Sequence, residues 1–251
     1  MAAAAASPMD VLGPGTLTAY WRFQRGVAKA QLAGWLPADP RLLIDISGPS
    51  SSGPVQAAAL GHTVVRVLPG TGTDGPQARS APSAGRIVPV VADPGSLAFL
   101  TDGCADGVIA EDGALSRHLM TEDLAAEIAR VLRPGGELLA CVDSLVLGMA
   151  VLAEQHHWAH LADAPHAEVM LVPWPDGTIT RCFGAGQLAD LLTEAGLEVM
   201  WIRPRTVLSP SMVDHVEDGF RDPRERLSRP IAHHPLMSRS LALTCSRLTC
   251  V

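Results

Sequence analysis

The sequence predicts an α/β domain built on a doubly wound, mostly parallel sheet with helices on both faces. Three observations carry this. Short apolar runs at 42–46, 63–67, 87–92, 106–110 and 137–142 read as buried strands. Segments of helical periodicity alternate with them, and Thr121–Leu132 is the clearest. Hydrophobic residues make up 47% of the 251 residues and aromatics only 4%, so the core is aliphatic and of ordinary globular proportion.

Residues 1–14 read as a flexible tail and 15–251 as a single domain. Leu17, Tyr20, Trp21, Phe23, Val27, Leu32, Trp35 and Leu36 predict one or two helices over 15–38, and Pro37 and Pro40 end them. Leu42–Ile46 is the first strand. The turn-rich run Ser47–Pro54 follows, then a helix over Val55–Leu60 stopped by Gly61. Thr63–Val67 is the second strand. Residues 69–86 are rich in Pro, Gly, Ser and Thr and predict a flexible loop where a helix would usually join two parallel strands.

Ile87–Ala92 is the third strand despite Pro89, and Asp106–Ala110 the fourth. Thr121 is placed to cap the helix in which Leu124, Ile128, Val131 and Leu132 share a face. Arg133–Gly136 reads as a tight turn into the fifth strand, Glu137–Val142. Leu145–Leu161 reads as one helix. Pro173–Phe183 reads as a hairpin turning at Asp176-Gly177, part of a cap inserted over 155–183. Gln187–Ala195 is a helix closed by Gly196, and Leu197–Ile202 and Leu241–Cys245 are the last strands.

Charge and cysteine content exclude several functions. The formal charge is −7, against the basic surface that phosphate-backbone binding requires, so no nucleic-acid partner is expected. The apolar stretch Leu138–Ala153 is too short to span a membrane and is interrupted by Asp143. Five cysteines, none spaced as C-x-x-C, suggest reduced thiols rather than a disulfide framework. The start, Met1–Pro8, lacks the positive region of a signal peptide, and a cytoplasmic location is expected. Lys29 is the only lysine.

The run Glu127-Ile-Ala-Arg-Val-Leu-Arg-Pro-Gly-Gly-Glu-Leu-Leu139 resembles the helix, turn and fifth strand of class I S-adenosylmethionine (SAM)-dependent methyltransferases. Other segments fall in the family's order. Val91-Ala-Asp93 with Leu97 and Phe99, Ala105–Glu111, and Phe183 with Gln187–Val199 each match a stretch of it. The resemblance covers roughly residues 40–202. It implies a Rossmann-like, seven-stranded sheet and SAM as the cofactor.

The first loop departs from the family's D-x-G-x-G-x-G. Asp45 and Gly61-His62 stand 16 apart, close to the usual spacing, but the three glycine positions become Ser47, Pro49 and Ser51. The acid that would bind the ribose becomes Leu68. Pro49 has no backbone N–H to donate, and each lost charge-assisted contact is worth about 1.5–3 kcal/mol. Gly48 and Gly53 remain nearby.

By family position, Asp45, Ser47, Gly48, Ser51, Asp93 and Glu111 are the candidate cofactor contacts. His118, after the fourth strand, is a candidate base or substrate contact, or else a helix-face histidine. Asp143, ending the fifth strand, is a candidate catalytic residue or a helix cap. Trp21 and Arg25, from a lid, and Trp174 and Arg181, from the hairpin, are candidate substrate contacts, with core packing the alternative for the tryptophans. His156 and His160 stand at i, i+4 and are candidate pocket residues; no metal site is expected, for want of an acidic ligand at a telling spacing. The function so implied is methyl transfer from SAM to a small molecule. The alternative is a methyltransferase-like chain with lost or altered SAM binding, acting as a partner-binding or regulatory homodimer or catalysing a different reaction in the same cleft.

Overall fold

The computed structural model describes residues 14–49, 51–70, 84–164, 167, 169–174, 177–205 and 245–250, with 14–24, 154 and 245–250 as backbone alone. The chain opens with one long helix, α1 (Pro14–Trp35), followed by β1 (Leu42–Asp45), α2 (Gly53–Ala59) and β2 (Thr63–Leu68). Next come β3 (Arg86–Val91), β4 (Ala105–Ala110), the short α3 (Ala114–Arg117), α4 (Thr121–Val131) and β5 (Leu132–Cys141). The second half contains α5 (Leu145–Glu154), α6 (Trp158–Asp163), β6 (Met170–Pro173), β7 (Ile179–Cys182), α7 (Ala185–Glu194), β8 (Leu197–Arg203) and β9 (Cys245–Cys250).

One sheet takes the order β3-β2-β1-β4-β5-β9-β8. Its first five strands are parallel, and β9 runs antiparallel between β5 and β8. The chain starts at the centre with β1, winds outward to β3, then returns to β4 on the other side. This is the doubly wound, Rossmann-like arrangement, and it leaves a crevice at the carboxyl ends of β1 and β4.

Strand alternation splits the core into two layers. Ile44, Val108 and Leu138 face one cluster with Leu124, Ile128 and Leu188. Leu43, Ile109 and Leu139 face the other, under Leu32, Trp35 and Ala57. Burial on both faces is why the central strands read as continuous apolar runs. Pro89 is accommodated because β3 is an edge strand, paired with β2 alone.

Several sequence expectations are corrected. The Arg133–Gly136 turn lies inside β5 as an outward loop: Leu132 pairs with Ala105 and Glu137 with Gly107, five residues against two. A Cβ on Gly136 would stand 2.9 Å from the Arg133 carbonyl, so the close reversal needs glycine there. Thr121 does not cap α4. Met120 takes that position, and the buried Thr121 hydroxyl donates to the carbonyls of His118 (2.8 Å) and Leu115 (3.2 Å). The single helix expected over 145–161 is two, broken at Gln155–His157, with His156 at φ 59°. Ser144 caps the first of them by accepting from the Leu147 N–H at 3.1 Å. The last strand is Cys245–Cys250; residues 241–244 lie outside the described residues, as do 1–13 and 71–83.

Candidate functional site

A cavity of about 560 Å³ opens at the carboxyl ends of β1 and β4, beneath α1. Its floor is the loop after β1. The buried Ser47 hydroxyl donates to Asp45 Oδ1 at 2.6 Å and accepts the Glu111 N–H at 2.8 Å, so it stitches the ends of the two central strands together. Asp45 is fully buried beneath the cavity. Burial pushes its carboxyl up to about 6, against the opposing pull of the Ser47 hydroxyl and of Arg66, whose Nε lies 3.7 Å away.

The outer part of the loop is held by arginines. Arg66 of β2 donates through Nη2 to the carbonyls of Gly48 (3.1 Å), Pro49 (2.8 Å) and Ser51 (3.3 Å). Arg117 of α3 reaches across to the Ser47 carbonyl at 3.3 Å and also donates to the Asp112 carbonyl. The loop's N–H groups turn inward as well: Ser47 to Asp45 Oδ1, Ser51 to the Gly48 carbonyl, and Gly53 to Ser51 Oγ.

Glu111, at the end of β4, lines the cavity in a buried bidentate pair with Arg205, at 2.5 and 2.7 Å. Arg205 Nε also donates to Gln31 of α1 at 3.0 Å, which ties the covering helix to the sheet. Asp93 stands on the opposite wall and accepts the Gly95 N–H at 2.9 Å. The His118 ring lies against Gly95 so closely that a Cβ there would fall 2.5 Å from Cε1 and Nδ1. From α1, residues 25, 28, 29 and 32 line the cavity at the i, i+3, i+4, i+7 spacing of one helical face.

The structure therefore brings Ser47, Gly48, Ser51, Asp93, Glu111, Arg25 and His118 around one cavity, with Asp45 directly beneath. It does not bring the other candidates there. Asp143 is tucked behind α3, where its N–H donates to Ser116 Oγ at 2.7 Å and burial raises its carboxyl. Arg181 braces the hairpin against α4 by pairing with Glu122 at 2.8 Å and stacking over Phe183 at 5.0 Å. Trp174 donates to Thr180 Oγ1 at 2.8 Å within the hairpin. His156 and His160 are exposed and do not share a helix, because the chain breaks between them. No group of side chains suited to a metal is present among the described residues. The Trp21 side chain lies outside the described residues, as does Asp176 of the hairpin turn.

Sequence reasoning missed Lys29, Arg66, Arg117 and Arg205. Lys29 had a signal, being four residues beyond Arg25 on the same predicted helix. Apart from the Arg117–Asp112 bond, the three arginines act across 15–174 residues of chain, and nothing local marks such contacts.

No protein-family model and no curated protein matches the sequence. Solved structures do match the fold. A SAM-dependent methyltransferase of Methanosarcina mazei matches with TM-score 0.55 and 14% identity, over 88% of this chain and 97% of that one. The 1,6-didemethyltoxoflavin N1-methyltransferase of Burkholderia thailandensis, with 1,6-didemethyltoxoflavin and S-adenosylhomocysteine bound, matches with TM-score 0.57 and 15% identity, over 100% and 93%. The [4+2]-cyclase SpnF matches with TM-score 0.51 and 16% identity, over 89% and 79%. The fold is that of the class I SAM-dependent methyltransferases. At these identities the likeness is one of fold, and the cyclase among the matches carries a different activity on it.

The residues present suit part of a SAM molecule. The volume falls in the range of small-molecule sites. The floor at Gly48 is open up to Arg117 Nη2, which a Cβ would meet at 3.5 Å. Asp93 provides an acceptor on one wall, and Arg25, Lys29 and Arg117 provide donors for a carboxylate. Among the described residues the ribose hydroxyls are the unmatched part: β2 ends in Leu68, and Pro69 follows it, neither with a side-chain acceptor.

Proposed function

We propose that the chain is a SAM-dependent methyltransferase acting on a small molecule, with the cavity beneath α1 holding donor and acceptor together. The single observation that carries this is the convergence of Ser47, Gly48, Asp93, Glu111 and His118 on one cavity at the switch point of the sheet. Bound SAM supplies an electrophilic methyl group. Asp93 would hold the adenine end and the Ser47–Ser51 loop the amino-acid end, while Arg25 contacts the acceptor from the covering helix. His118, fixed against Gly95, would accept the acceptor's proton or orient it. Positioning is most of what such an enzyme must do.

A second reading is favoured by one observation. The N–H groups of Ser47, Ser51 and Gly53 bond inward, and the loop carbonyls of Ser47, Gly48, Pro49 and Ser51 face Arg66 and Arg117. With Leu68 at the ribose position, this is the arrangement expected of a chain whose cavity has left SAM for another role, as a regulatory homodimer or in different chemistry. Calorimetric titration with SAM and S-adenosylhomocysteine separates the two. A micromolar dissociation constant supports the first; no heat and no thermal shift at millimolar ligand refutes it.

A further inference from the structure

Arg66 holds the floor of the cavity from outside it. It pairs in register with Asp45, the last residue of β1, and so comes up beside the start of the loop. Its Nη2 donates to the carbonyls of Gly48, Pro49 and Ser51, while its Nε faces Asp45 Oδ2 at 3.7 Å. Three carbonyls, 15–18 residues away in the chain, thus meet on one nitrogen. Their oxygens carry like partial charges and repel one another, and the guanidinium at the point where they converge reverses that repulsion.

Little else fixes the shape of the loop. Gly48, at φ 94°, is the one left-handed residue among the described residues of 46–53, so the backbone freedom that glycine gives is used there once. Ser52 makes no side-chain cap bond to α2. The bonds from the Ser51 N–H to the Gly48 carbonyl and from the Gly53 N–H to Ser51 Oγ lie within the segment itself and tie it to no strand. Ser47 is fastened to β4 and to Arg117. Beyond Ser47, Arg66 is the only side chain from outside the loop that hydrogen-bonds it, among the described residues. Gly48, Pro49, Ser51 and Ser52 line the cavity and Arg66 does not, so Arg66 fixes a wall that a ligand meets without meeting the ligand itself.

We propose that Arg66 is a positioning residue for the cavity: it holds the loop after β1 in the shape that receives the ligand, the work that glycines do elsewhere through backbone conformation alone. The ligand's identity as SAM rests on the methyltransferase reading; the loop's dependence on Arg66 is measurable without it. Arg66→Met removes every donor and keeps the apolar stem. Arg66→Lys keeps a cation whose three N–H groups radiate from one nitrogen, as the three carbonyls require. If Arg66→Met does not fold, Arg66→Gln takes its place, because its shorter neutral amide cannot serve three carbonyls together. Two measurements on the full chain decide: amide hydrogen exchange at Ser51 and Gly53 without ligand, and calorimetric titration with S-adenosylhomocysteine. In Arg66→Met those two amides should exchange about tenfold faster while β4 and β5 exchange as in the wild type. S-adenosylhomocysteine should bind about tenfold more weakly, as when the receptive shape is populated about a tenth of the time. Arg66→Lys should stay within about threefold of the wild type in both measurements. Unchanged loop exchange in Arg66→Met overturns the proposal, as does equal binding of S-adenosylhomocysteine by Arg66→Met and the wild type. Faster exchange that spreads over β4 and β5 and is not restored by lysine also overturns it, because Arg66 then serves the sheet as a whole. If the wild type binds no S-adenosylhomocysteine while exchange rises only at the loop, the methyltransferase reading fails and the positioning of the cavity wall by Arg66 stands.

Discussion

Replacing Asp45 with asparagine isolates the electrostatics under the cavity floor. Asp45 is fully buried; its Oδ1 accepts from the Ser47 hydroxyl, and its Oδ2 has no hydrogen-bond partner among the described residues. Burial outweighs the pull of Ser47 and Arg66 and moves the carboxyl from its ordinary 3.8 to about 6. That shift corresponds to roughly 3 kcal/mol between the two protonation states. The folded chain holds this proton more tightly than the unfolded chain, so between about pH 4 and pH 6 the folded state binds more protons and stability falls as pH rises. Above that window the ionised carboxylate costs up to about 3 kcal/mol. Below it the carboxyl is neutral in both states, and an amide oxygen accepts from Ser47 much as the acid does.

Urea unfolding of wild type and Asp45→Asn at about pH 4 and about pH 8 measures the effect. The two should be nearly equal in acid, and the variant should be more stable by up to about 3 kcal/mol in base. Asp112 and Asp143 are raised by burial too, so the wild-type slope alone would mix several groups; subtracting the variant leaves Asp45. A difference that does not change with pH refutes the argument. If the variant instead loses ground as pH rises, Arg66 dominates and the carboxylate is stabilised rather than penalised.

Three further outcomes follow from the same structure. Arg205→Met leaves Glu111 buried without its partner and should cost about 3–5 kcal/mol in chemical denaturation, whereas adding Glu111→Leu should recover most of it. Gly95→Ala places a methyl 2.5 Å from the His118 ring, so the imidazole resonances of His118 should move by NMR while the melting temperature changes little. Ser144→Ala removes the α5 cap and should lower stability by about 1 kcal/mol, read from urea midpoints.

The sequence carried most of the fold because fold here is a matter of periodicity. Apolar runs at β1, β4 and β5, buried on both faces, have to be central parallel strands, and the face of α4 written by Leu124, Ile128 and Val131 has to lie on them. The site was legible where family position sufficed, at Ser47, Gly48, Asp93, Glu111 and His118, and at Arg25 through helical spacing. It was not legible at Asp143, His156, His160 and Arg181, whose placement depends on a helix break and a hairpin docking that no local pattern records.

What the sequence determined by itself is that Ser47, Pro49 and Ser51 stand in the first loop and that β2 ends in Leu68, without an acid. Only the tertiary structure decided what surrounds them. Arg66 meets the loop carbonyls from a neighbouring strand, Arg117 from the far side of the crevice, and Arg205 pairs with Glu111 across 94 residues. Side-chain hydrogen bonds of this kind depend on distance in space, and strand order sets that distance.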